Sequence, residues 1–196
     1  NEFYVFNTSE YLDGKTPLST LLSFDRVQFL LEVKRKFPEL KTIGKVTRGI
    51  HPYRLGGYGA TAFGKGPQSQ KDIQERPYHS KERKEGYRSF IYGRDLKRYG
   101  PLIEKEYIKY GNWLAEPRNP SFFEGDRIYS RKILDKKLIV TLEDKDSIAD
   151  QQVYITIIKS ESVSTRYVAG ILGSSFMGYF IRMFYNEATD TFPQIK

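Results

Sequence analysis

Cysteine is absent from the 196-residue sequence, which removes disulfide scaffolds, thiolate metal sites and cysteine nucleophiles together. Histidine is nearly as scarce. With only His51 and His79, a histidine-rich metal site cannot be assembled, and the ligand inventory argues against a metal centre. No run approaches 18 apolar residues, and the first residues lack a basic-then-apolar signal pattern. Membrane spanning and secretion therefore find no support, and a soluble, cytoplasmic protein without a membrane partner is expected.

What the chain does hold is aromatic surface. Fifteen tyrosines and 13 phenylalanines within a 39% hydrophobic composition supply the burial that offsets ordering entropy, so the chain is expected to fold as one domain over 1–196. Residues 1–39 read as an N-terminal strand and helix and 40–196 as the core. The net charge is +8 and the isoelectric point about 9.4, which favours an anionic partner, nucleic acid before acidic membrane. Residues 65–100 concentrate that charge, with ten basic and five acidic side chains. Between Gly64 and Gly86 apolar periodicity is weak, which predicts a long, mobile connection. A ligand-binding loop and a solvated charged loop both fit its composition.

Hydrophobic spacing predicts an α+β fold: a mixed, curved, mostly antiparallel sheet with an N-terminal helix and a mostly buried C-terminal helix. FYVFN (3–7) suits a short strand. The run from Ser23, with Phe24, Val27, Leu30 and Leu31 at helical spacing, suits a helix capped by Ser23 and ended by Pro38. KVTRGIHPY reads as a strand feeding a glycine turn, and YRSFIYGRDLKRYG as two short strands interrupted at Gly93. RIYSRKILDKKLIVTLED reads as a hairpin turning near 135–137, followed by the strand QQVYITIIKS. Val168, Ile171, Leu172, Phe176 and Phe180 then return to helical spacing, behind a cap at Ser164 or Thr165.

The catalytic motifs fail one after another. Lys65 is followed by Gly66 rather than the Ser or Thr of a phosphate-binding loop. Asn119-Pro120-Ser121-Phe122 lacks the second proline of an adenine-holding loop and reads as a turn. Glu143 and Lys145 carry a nuclease-like spacing without a convincing acidic partner, and neither histidine joins a nucleophile and carboxylate in a triad. Trp113 reads as a core or sheet-edge anchor. Arg48 and Arg54 bracket a Gly and Pro turn from which an arginine fork can reach guanine, although taken alone ordinary surface exposure is the slightly favoured reading. Tyr53, Tyr58, Tyr87, Tyr92 and Tyr99 flank basic residues, which suits base stacking and sheet packing alike. Asp95 reads as a turn residue paired with Arg94 or Arg98.

Four segments, taken in order, resemble the TaqI-like target-recognition domain of adenine DNA methyltransferases and type II restriction-modification enzymes. They are VTRGIHPY (46–53), IYGRDLKRYG (91–100), DRIYSRKILDKKLIVTLEDKD (126–146) and YVAGILGSSFMGYFIR (167–182), with FPQIK (192–196) like the stretch that follows the family's helix. Gly173 stands where the family often has asparagine, which suggests a packing reason, and 56–87 matches no pattern, as a variable recognition loop would. The resemblance implies sequence-specific binding of double-stranded DNA. It places catalysis, S-adenosylmethionine and any Mg2+ elsewhere in a larger bacterial or archaeal parent, an adenine methyltransferase or a methyltransferase-nuclease fusion, with no cofactor or metal here. The missing initial methionine and the end at FPQIK suit an excised domain.

On that reading the DNA-binding candidates are Arg48, His51, Tyr53, Arg54, Lys65, Lys71, Arg76, Lys81, Arg83, Lys84, Arg88, Arg94, Lys97 and Arg98. Cations between Lys65 and Arg98 neutralise phosphates, while the 48–58 turn and the variable loop read bases. Three alternatives stay open: one recognition half of a type I specificity subunit, an RNA or general anion-binding module, and a small nuclease using Asp126, Glu143 and Lys145.

Overall fold

A computed structural model describes residues 24–134 and 137–184. The expected 3–7 strand, the Ser23 cap, the hairpin positions 135 and 136 and the 192–196 segment lie outside the described residues, as do the side chains of Phe24 and Val27. Helix α1 (Phe24–Lys36) carries Asp25 in its first turn and Lys34, Arg35 and Lys36 in its last, matching the helix dipole at both ends. It buries Leu30 and Leu31 and ends just before Pro38. A single turn, α2 (Leu40–Ile43), leads into strand β1 (Gly44–Arg48).

Among the described residues, eight strands form two sheets rather than one. The first sheet joins β1 to β5 (Arg127–Arg131), β6 (Val140–Glu143) and β8 (Val153–Ile158) in the order β1-β8-β5-β6, antiparallel throughout. The second joins β2 (His79–Ser80), β3 (Tyr87–Ile91), β4 (Tyr107–Lys109) and β7 (Ser147–Ala149) in the order β2-β4-β3-β7. Its β3-β7 pair is parallel and its other pairs are antiparallel. The α+β class with mixed pairing therefore holds, with the sheet divided in two.

Side-chain alternation explains the layering. In β5, Ile128 joins Leu134, Leu138, Val140, Val168 and Ala169 in one core, while its neighbour Tyr129 joins Phe90, Ile108, Ile148, Val153 and Ile155 in the other. The first sheet is thus a middle layer, covered by the C-terminal helices on one face and by the second sheet on the other. Four consecutive buried residues in β5 follow from that double cover. Each fully buried Ile, Leu or Val contributes about 1.5–3 kcal/mol of transfer free energy. Arg127 is also fully buried, and its guanidinium is satisfied by the Gly125 carbonyl at 2.8 Å and the Tyr129 and Ser147 hydroxyls at 3.1 Å. It ties β5 to the start of β7.

Three local expectations change. The segment after Gly93 is not a second strand but a 3-10 turn, Gly93–Asp95, held by Asp150, whose carboxylate accepts the Gly93 N–H at 3.2 Å. The C-terminal helix is broken into α4 (Thr165–Leu172) and α5 (Ser175–Phe184), because each has its own serine cap. The Ser164 hydroxyl accepts the Tyr167 N–H, and the Ser174 hydroxyl accepts the Met177 N–H. One face of this pair is buried, while Tyr167, Ile171, Phe176 and Tyr179 remain exposed. The connection after Gly64 is also structured, since it contains α3 (Gln70–Glu75) and β2. Among the described residues, no helix is long and apolar enough to cross a membrane.

Candidate nucleic-acid interface

After β1 the chain runs as a strap across the second sheet. The Ile50 N–H donates to the Ala149 carbonyl at the end of β7, and three residues later the Tyr53 hydroxyl lies 2.9 Å from His79 Nδ1 on β2. Since β7 and β2 are the outer strands of that sheet, residues 50–53 reach from one edge to the other. Gly49 is required at the start of the strap, because a Cβ there would stand 2.1 Å from the Asp150 carbonyl oxygen. His51 exchanges backbone hydrogen bonds with Glu116 in both directions.

Rings hold the strap down. Tyr53 stacks on Tyr78 with centroids 5.9 Å apart, Tyr78 meets Trp113 at 6.1 Å, and His79 packs edge-on against Phe90 at 4.9 Å. Burial pushes the His79 imidazole down to about 4, helped by the nearby Arg76 charge, so the ring is neutral at pH 7. Burial likewise lowers His51 and raises Tyr53. These three candidates are therefore framework groups first.

Beyond the strap, residues 54–66 form a loop with a fixed base. Gln68 is buried, and its Nε2 donates to the carbonyls of Pro52 (2.9 Å) and Trp113 (3.1 Å), while its Oε1 accepts the Arg54 N–H (2.9 Å). Asp72 is fully buried and accepts from the Thr61 hydroxyl, the Ala62 N–H, and both the N–H and hydroxyl of Ser69. Burial alone would raise this carboxyl, but those hydrogen bonds outweigh it and bring it down to about 2. A bridge between Ala60 and Pro67 pinches the segment at its middle. Gly59, at φ +66°, allows the pinch, since a Cβ there would meet the Trp113 carbonyl oxygen at 2.6 Å.

The basic candidates divide by what already occupies them. Arg54 pairs with Glu116 at 3.0 Å and lies over the Tyr58 ring, and Lys71 pairs with Glu75 and lies over Phe63. Arg76 joins Tyr92 and Glu106 in one cluster, in which burial and the Glu106 bond push the Tyr92 phenol up to about 12. Arg88 pairs with Asp146 and donates to the Phe123 carbonyl. Arg98 donates to the Gly173 carbonyl at 3.0 Å, closing the end of α4. Arg48, Lys65, Lys81, Arg83, Lys84, Arg94 and Lys97 are exposed and form no ion pair among the described residues, while Arg94 lies 4.6 Å over Tyr92 and Lys84 6.0 Å over Tyr87.

Lys81, Arg83 and Lys84 lie in the turn between β2 and β3, and Arg94 and Lys97 follow β3. Because β2 and β3 both run antiparallel to β4, Lys81 leaves β2 level with the C-terminal half of β3. Asp95 is a turn residue as expected, but its partner is Lys105 rather than Arg94 or Arg98. Gly173 has the packing reason expected of it, since a Cβ would stand 2.3 Å from the Tyr99 hydroxyl. Asn119 caps a 3-10 turn at Pro120–Phe123, its side chain accepting the Ser121 N–H at 3.0 Å.

A profile of the TaqI-like C-terminal specificity domain matches residues 88–196, more than half of the chain, from β3 through both C-terminal helices. The chain belongs to this family. Domains of the TaqI-like specificity family serve DNA sequence recognition in restriction-modification systems. No curated protein matches the chain. The strap and the pinned loop precede the matched residues, so their geometry adds to what TaqI-like membership carries. Sequence reasoning missed Gln68, Phe63, Asp72 and Glu116. Ser69-x-x-Asp72 is a legible capping box, but no apolar run follows it to mark a helix. Glu143 is buried and accepts the Lys145 N–H at 2.6 Å, while Asp126 is exposed, so the residues named for a nuclease do not converge. Among the described residues, no three His, Asp or Glu side chains group to hold a metal ion.

Proposed function

We propose that this chain reads a short duplex DNA sequence for a restriction-modification protein whose adenine methyltransferase domain lies elsewhere in the parent chain. Membership of the TaqI-like specificity family over 88–196 carries the reading. The geometry supports it with exposed cations that form no ion pair among the described residues, in the turns before and after β3, and with a rigidly based loop at 54–66. Lys81, Arg83, Lys84, Arg94 and Lys97 neutralise phosphates and set register, and Arg48 and the 54–66 loop face the bases. S-adenosylmethionine and Mg2+ belong to the parent's catalytic part, and this domain supplies recognition only.

Selection from a randomised duplex pool at low and moderate salt, with single-stranded DNA and RNA as competitors, tests the proposal. Enrichment of one short duplex motif is the expected result. Salt-sensitive retention without a motif, or preference for RNA, refutes it. Non-specific binding alone leaves dissociation constants of about 10⁻⁴ to 10⁻⁶ M at physiological salt.

A further inference from the structure

The 54–66 loop is pinched into two lobes of similar construction. The first carries Leu55 and Tyr58, the second Phe63 and Lys65. Tyr58 is 43% and Phe63 42% exposed, in a glycine-rich segment. Each ring carries a cation, with Arg54 4.2 Å above Tyr58 and Lys71 4.3 Å above Phe63. Gly56, Gly57, Gly64 and Gly66 all have positive φ, and nothing stands within 4 Å of where their side chains would be. The lobes therefore stand clear of the body, while Gln68 and Asp72 hold their common base with satisfied buried groups.

Each ring packs against a cation on one side and is open to solvent over the rest, which suits it to a polyanion. Aromatic and aliphatic side chains read the thymine methyl in the major groove and stack on bases. We propose that Tyr58 and Phe63 are specificity-determining residues that meet base edges, and that Gln68 and Asp72 are positioning residues fixing where the two lobes stand. This rests on the duplex-recognition reading above and names the residues that carry it.

The test is the duplex selection repeated with the full chain carrying Tyr58→Ala, Phe63→Ala or Gln68→Ala. Each ring variant is expected to relax preference at one position by roughly tenfold, with the salt dependence of binding unchanged. Gln68→Ala is expected to relax several positions together, again with the salt slope kept. A motif retained in full by both ring variants overturns the inference and leaves DNA recognition standing. Uniform weakening on all duplexes also overturns it, by making the rings backbone contacts. A wild-type chain that selects no motif overturns the recognition reading and this inference with it. Both rings are exposed, so their variants decide the matter even where Gln68→Ala unfolds the loop.

Discussion

Asp72, in α3, is the most heavily bonded side chain at the base of the 54–66 loop, and its removal has a calculable cost. In Asp72→Ala the Ala62 and Ser69 N–H groups lose a charged acceptor, while the Thr61 and Ser69 hydroxyls can rotate towards solvent. Two backbone bonds to a charged group at about 1.5 kcal/mol each give an expected loss of about 3 kcal/mol at pH 7. The carboxyl also sets a pH dependence, because it sits at about 2 when folded against an ordinary 3.8. A folded value below the unfolded one means the stabilisation is complete above about pH 4 and fades as pH falls towards 2. In a deep site that shift would be worth about 2.4 kcal/mol, and the thin loop covering Asp72 reduces it to about 1–2 kcal/mol. Urea unfolding followed by the single tryptophan, Trp113, whose carbonyl belongs to the same base, measures both effects. A loss under 1 kcal/mol at pH 7, or a wild-type to variant gap that does not narrow between pH 5 and pH 2.5, refutes the reasoning.

Arg98→Ala and Lys97→Ala should separate framework from contact. Lys97→Ala lowers the salt slope of duplex binding by about one unit at unchanged stability, whereas Arg98→Ala mainly destabilises, by about 1–2 kcal/mol, since it releases the Gly173 carbonyl. Gly173→Ala forces Tyr99 and Val140 apart and should cost about 1–3 kcal/mol in urea unfolding. Asp150 is pushed up to about 6, chiefly by burial, so its ionised form destabilises the fold above that pH and less so as pH falls towards 3.8. Asp150→Asn should therefore be more stable than wild type at pH 7 by about 1–3 kcal/mol, with the gain vanishing near pH 4 in the same assay.

Most of the fold was legible because short-range pattern decides it. The alternation in KVTRG, RIYSR and VYITII gave β1, β5 and β8, the helical spacing ahead of Pro38 gave α1, and Ser164 gave the start of α4. Two features were not legible. The division into two sheets depends on which strand pairs with which, and β3 takes β7 from more than 50 residues away. The break between α4 and α5 lies under hydrophobic spacing that runs on through it, and the local Ser174 cap marks it. Composition suggested a loose connection after Gly64 for a related reason. Its order comes from a buried amide and a buried carboxylate, and polar residues look alike in a sequence whether they face water or one another.

The same distinction governs the site. Charge counting found the basic window correctly, because net charge is additive along the chain. It could not tell a cation available to phosphate from one already spent on the fold, because the partners are remote: Glu116 for Arg54, Asp146 for Arg88, the Gly173 carbonyl for Arg98. An arginine bonded in this way is oriented before any ligand arrives, and pulling it away would leave its acceptor without that partner. Phosphate contact is therefore cheapest for the exposed lysines and arginines without an ion pair in the turns before and after β3, whose neutralisation releases counterions and breaks no ion pair. Base reading has the opposite requirement, since discrimination needs side chains whose positions are fixed before contact. The lobes on Gln68 and Asp72 meet that requirement with exposed tips on a buried base, and they do so in the part of the chain where the sequence offered least pattern.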